Sequence, residues 1–194
     1  MKKQKAFLLL FVCILSFLIS PAQIKSWNDN AFQTDFSNII IDYPNSFQHY
    51  IGEELIRNPQ SVDYSSLLKI RGSEDCVITK YNSAKRNRYS FQAVMATTED
   101  FETAKNKFQA FYNQLNNMPV RFSHNEASRL QGVYESPTEE KKFTSTIFSA
   151  SQDDASLKNL KVELLMEYVV TEWKVKLLVY EKEREDDERG DVKE

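Results

Sequence analysis

Between Phe101 and Leu115 the apolar residues recur at helical spacing, and on either side of that segment they alternate as strands do. Phe101, Ala104, Phe108, Phe111, Tyr112 and Leu115 stand at i, i+3, i+7, i+10, i+11 and i+14, which draws one apolar stripe down a helix. The pattern predicts a helix over 99–117. Thr97 or Thr98 is placed to cap it, Glu99, Asp100 and Glu102 lie at the positive end of its dipole, and Asn116-Asn117-Met118-Pro119 stops it. An earlier segment, 29–41, carries Phe32, Phe36, Ile39 and Ile40 in a similar stripe between a cap at Asn28 or Asp29 and Pro44. It reads as a second helix, although Ile39-Ile40-Ile41 also suits a strand.

The strand signals are shorter. Ser65–Arg71, Cys76–Tyr81 and Tyr89–Met95 lie between the helices, the last two reading as a hairpin joined by the polar residues 82–88. After the second helix come Arg129–Glu135, Lys142–Ala150, Lys161–Val170 and Trp173–Tyr180, divided by loop-like segments at 136–140 and 151–156. In the final pair Val162, Leu164, Met166, Tyr168 and Val170 form one face. With Thr171-Glu172 as the turn, Glu167 stands opposite Lys176, an opposite-charge pair that favours this register. The order predicts an α+β fold, two helices packed on a mainly antiparallel β-sheet. The outline repeats at roughly 70 residues, compatible with two similar helix-plus-strands halves, but no residues match between them.

The first residues constrain the compartment. Met1-Lys2-Lys3-Gln4-Lys5 is a basic start, Ala6 to Ile19 is an apolar run broken only by Ser16, and Ser20-Pro21-Ala22 is a small-residue cleavage site before polar Gln23. This is the layout of a cleavable secretory signal over 1–22. Ala6 to Ser20 is 15 residues, against the ~20 that cross a bilayer, so no membrane span is expected after cleavage. Cys13 sits mid-run, where a lipid-anchored cysteine would close the run. Removing 22 of the 194 residues leaves 172, enough for a single α+β domain over 23–182. The charged segment 183–194 has too little apolar character to pack and reads as a disordered tail. Loss of the three signal lysines moves the formal charge from −3 to −6, the wrong sign for a nucleic-acid binder.

Once Cys13 leaves, Cys76 has no partner within the chain. It opens the apolar run Cys76-Val77-Ile78, which points to burial rather than to an intermolecular disulfide. Packing must then hold the fold without intrachain disulfides. Glycine is scarce, with four in the chain and none adjacent, so the phosphate-cradling loops have no material.

No catalytic constellation stands out. Ser66 and Lys69 match Ser-x-x-Lys, but the partner motifs are missing and a strand there would point the two apart. Two histidines, His49 and His124, make no His-rich metal motif, and no metal site or cofactor is expected. His124 with Glu126 has general-base chemistry but no defined nucleophile. Glu53-Glu54 and Glu139-Glu140 are merely adjacent, and Glu185, Asp186, Asp187 and Glu188 lack the spacing of a calcium loop. The densest basic cluster, Lys80, Lys85, Arg86 and Arg88 between Tyr81 and Tyr89, is the one candidate binding site, for an acidic envelope protein or an anionic surface ligand.

These features fit an exported protein, periplasmic or secreted, that serves as a non-enzymatic binding or assembly module of the bacterial cell envelope. The alternative is an envelope hydrolase with a carboxylate or His-carboxylate pair in a cleft. A pocket holding two carboxylates of shifted pKa would favour the hydrolase, and an open sheet edge or exposed apolar patch the module.

Overall fold

The computed structural model describes residues 29–82, 87–121, 127–150 and 159–181. Within them lie two α-helices, α1 (Asp29–Asp42) and α2 (Phe101–Leu115), and nine strands: β1 (Ile51–Arg57), β2 (Ser61–Ser66), β3 (Asp75–Tyr81), β4 (Arg88–Thr98), β5 (Pro119–Arg121), β6 (Ala127–Gly132), β7 (Phe143–Ala150), β8 (Leu160–Val169) and β9 (Glu172–Glu181). The strands form one antiparallel sheet in the order β1-β2-β3-β4-β9-β8-β7-β6-β5. The fold is therefore α+β, as the periodicities predict, with sheet dominating.

Helix α2 buries Ala104, Phe108, Phe111 and Leu115 from its apolar stripe against β4, β8 and β9. Each large side chain removed from water contributes roughly 1.5–3 kcal/mol. The cap is Asp100 rather than Thr97 or Thr98: its carboxylate accepts from Thr103 N at 2.7 Å, while Thr98 Oγ1 accepts from Asp100 N at 3.2 Å. Asn117 takes the left-handed conformation that ends helices (φ 66°), and Pro119 follows. Helix α1 buries Phe32, Phe36, Ile39 and Ile40. The isoleucine run thus belongs to the helix.

One row of directly paired residues, Ile78, Phe91, Val179, Val162, Phe148 and Gly132, crosses six strands on the helix-facing side. Its neighbour on the opposite side reads Val77, Gln92, Leu178, Glu163 and Ile147. One face is thus core and the other mixed, as expected for an antiparallel sheet with one face in water.

The sheet is also strongly coiled. Asp35 Oδ2 accepts from Arg71 N (3.0 Å) in the β2–β3 connection, while Phe32, one turn earlier, lines a cleft with Pro119 at the start of β5. In a flat sheet β3 and β5 would lie about 30 Å apart, six strand spacings, against ~5 Å for one helical turn. The ends of the sheet must curl toward α1, in keeping with the intrinsic twist of strands.

Three local expectations are corrected. The strand before β3 is Ser61–Ser66, not Ser65–Arg71: after Ser66 the chain turns, with Ser66 Oγ bonded to Leu68 O (2.7 Å) and Ile70 tucked into the core. The β8–β9 turn is Val170-Thr171, so Glu167 stands opposite Lys174 rather than Lys176. That shift is two residues, which preserves which side chains face the core, and Lys176 still reaches Glu167 diagonally at 2.6 Å. Finally, β6 ends at Gly132, so Val133–Glu135 lie outside it.

Candidate functional site

The basic cluster is only partly within the described residues. Lys85 and Arg86 lie outside them. Lys80 pairs directly with Tyr89, and Arg88 with Tyr81, so these two cations start from opposite faces of the β3–β4 hairpin. At the strand end Arg88 and Tyr89 line a cleft of about 250 Å³ with Tyr43, Ser46, Phe47 and Glu181. Arg88 thus shares its cleft with a carboxylate, and Lys80 does not line it.

A His–carboxylate pair does exist, built from residues that sequence spacing did not join. Asp42, the buried last residue of α1, accepts from Asn45 Nδ2 (3.1 Å) and His49 N (3.1 Å), and its Oδ1 lies 2.5 Å from His49 Nδ1. Between them Ser46 and Phe47 both adopt left-handed backbone (φ 58° and 56°), which drives Phe47 fully into the core against Phe91. Asp42 therefore ties down a strained turn. The His49 side chain is 71% exposed and lines neither described cleft. His124 and Glu126 fall outside the described residues, as do residues 185–188 of the acidic tail.

Ser66 is buried at the end of β2 with its hydroxyl engaged, while Lys69 is exposed in the following turn, so they form no nucleophile–base pair. Glu54 is occupied by Arg57, which donates Nε and Nη2 to its two oxygens (2.9 and 2.5 Å); these bonds hold its carboxyl below the usual range. The larger described cleft, about 450 Å³, is lined by Phe32, Gln33, Asn113, Asn116, Met118 and Pro119 among others and contains no charged group. No described pocket holds two carboxylates. Among the described residues there is no cluster of metal-ligating side chains, and no helix is long and apolar enough to cross a membrane.

The sheet edges differ from each other. β5 is three residues long and begins with Pro119, which has no N–H to offer. β1 is seven residues long, and none of the described strands pairs with its outer side. It carries Leu55 and Ile56 52% and 56% exposed, beside Glu53, Glu54 and Arg57. Its ladder with β2 shifts register on both sides of Glu54. The first shift accommodates Gly52, where a Cβ would lie 2.5 Å from Ser65 Oγ, the atom that accepts from Glu53 N. Sequence reasoning missed this strand because bulges destroy its alternation. Comparison with protein-family models, curated proteins and solved structures finds no match.

Proposed function

We propose that the chain is a non-enzymatic binding or assembly module of the bacterial cell envelope, exported to the periplasm or secreted, and that it docks through the outer edge of β1. The observation that carries this reading is the edge itself: seven residues whose outer side pairs with none of the described strands, with two large apolar side chains more than half exposed. Exposed edges are templates for another strand, and proteins usually cover or blunt them. The hydrolase alternative has the Asp42–His49 pair in its favour, but that pair lines neither described cleft. Lys80 and Arg88 are a second candidate contact for an acidic partner, offered from opposite faces of the β3–β4 hairpin, and Lys85 and Arg86 lie outside the described residues.

We infer further that the molecule is two versions of one unit, because each helix is followed by an antiparallel run of strands and the last strands, β4 and β9, meet mid-sheet. Failure of residues 29–98 to superpose on 101–181 with α1 over α2 removes that reading.

The docking reading is tested in the producing cell by placing a photo-crosslinking side chain at Leu55 or Ile56, with Val133 as an exposed control. Specific adducts from β1 alone, in the envelope or secreted fraction, support it. Adducts equal to those from Val133, or a protein confined to the cytoplasm, overturn it.

A further inference from the structure

We propose that the occupant of the β1 edge is a second copy of this chain, paired antiparallel about a twofold axis between Leu55 and Ile56, which sets Glu54 of each copy opposite Arg57 of the other. This rests on the reading of β1 as a docking edge and names its partner.

Three observations converge on self-pairing. First, the edge is electrically lopsided: Glu53 and Glu54 precede Leu55 and Ile56, and Arg57 follows. An antiparallel copy brings the acidic half of each strand alongside Arg57 of the other and sets the Leu55-Ile56 pairs together in the middle. The Glu54–Arg57 bond within one chain shows that these groups already lie on the same side of the strand, where they can exchange partners between copies. Second, of the two edges of the described sheet only this one is long enough to pair. The β5 edge is short and begins with proline, so copies cannot add head to tail into a growing sheet, whereas β1 against β1 is isologous and closes after two. Third, the register shifts on both sides of Glu54 twist the strand and leave Leu55 without a direct partner in β2, which limits how long a stretch can pair outward. They guard against indiscriminate addition while leaving a short self-complementary segment.

So small a contact belongs at the low end of protein interfaces, with a dissociation constant on the order of 10 μM. The dimer forms where the protein is concentrated, and one consequence is a continuous sheet of eighteen strands across two copies, the nine of each chain joined at β1.

The test uses the full protein as recovered from the producing cell. Sedimentation velocity from about 1 μM to several hundred μM is expected to show the mass rising from one chain to two, centred near the dissociation constant. Arg57→Glu makes the edge wholly acidic and raises that constant at least tenfold. The double variant Glu54→Arg, Arg57→Glu restores both the internal bond and the match between copies, and recovers dimerisation. Leu55→Cys, with buried Cys76 silent, yields a disulfide-linked dimer on mild oxidation, and Val133→Cys does not. A chain that stays monomeric throughout, or Leu55→Cys oxidising no faster than Val133→Cys, overturns self-pairing. If photo-crosslinks from β1 then still capture a different protein, the docking reading survives; if they capture nothing, both fall.

Discussion

Tyr180 donates its hydroxyl to Glu163 Oε2 at 2.9 Å across the β8–β9 pair on the open face of the sheet. Burial, then the nearby Glu163 charge, then this bond push the phenol up to about 12 from 10.0. The folded state therefore holds the Tyr180 proton more tightly than the unfolded chain does. Its contribution to stability is whole below pH 10 and is lost as pH rises from 10 to about 12. Near-ultraviolet titration of the native protein is expected to show a late tyrosinate component that Tyr180→Phe removes. A native protein without that late component contradicts this assignment.

Gly132 is required by its neighbours rather than by its backbone angles. A Cβ there would lie 2.8 Å from the ring of Phe148 and 2.9 Å from the Thr146 methyl. Its carbonyl also accepts from Tyr112 OH at 3.0 Å, which docks α2. Phe148 is fully buried and has no room to yield. Gly132→Ala is expected to cost about 1–3 kcal/mol in urea unfolding. An unchanged midpoint would mean that β6 can move away from β7 freely.

What was legible in the sequence follows a physical divide. Elements with several turns or clean alternation, α2, β3, β4, β7, β8 and β9, announce themselves because burial on one face imposes a period. β1 does not, since its two register shifts break the alternation at Glu54, and β5 is too short to show any. Ser65–Arg71 misled because Leu68 and Ile70 suggest a strand, whereas the hydroxyl of Ser66 closes a turn there. Lys80 and Arg88 are close in sequence and in one hairpin, yet strand parity separates them by face, a distinction composition does not carry. The Asp42–His49 contact depends on two left-handed residues that no pattern signals.

Val170 shows why the β8–β9 register escaped detection. It adopts φ 62° at a turn, a conformation that β-branched residues avoid, and it is 88% exposed, so no packing compensates. Val170→Gly is expected to stabilise the protein by about 1 kcal/mol, seen as a raised denaturation midpoint. Destabilisation by this change would show that the valine side chain makes a contact that its exposure conceals.

Cys76 is buried, with its Sγ 3.1 Å from Ser73 Oγ, and burial above all pushes its thiol up. The thiolate that attacks disulfide reagents is therefore scarce as well as covered. In the native protein, labelling by an aromatic disulfide is expected to proceed only as fast as the chain opens, and to become immediate in denaturant. Rapid native labelling, or a Cys76-linked dimer isolated without reductant, contradicts the buried placement.

The Asp42–His49 pair separates a structural from a catalytic role. If Asp42 serves to hold the turn that seats Phe47, Asp42→Ala leaves its donors unmatched and costs about 1–3 kcal/mol. His49→Ala removes only an exposed partner and costs under about 1 kcal/mol. Asp42→Asn keeps an acceptor and falls between them. Thermal unfolding should rank the losses, largest first, as Asp42→Ala, Asp42→Asn and His49→Ala, with Phe47→Ala at least as damaging as Asp42→Ala, since Phe47 itself fills the seat beside Phe91 that the turn holds in place. A hydrolytic activity lost in His49→Ala with stability intact would reverse the assignment and revive the His–carboxylate enzyme. Equal loss of stability in the His49 and Asp42 variants would instead make the imidazole part of the staple.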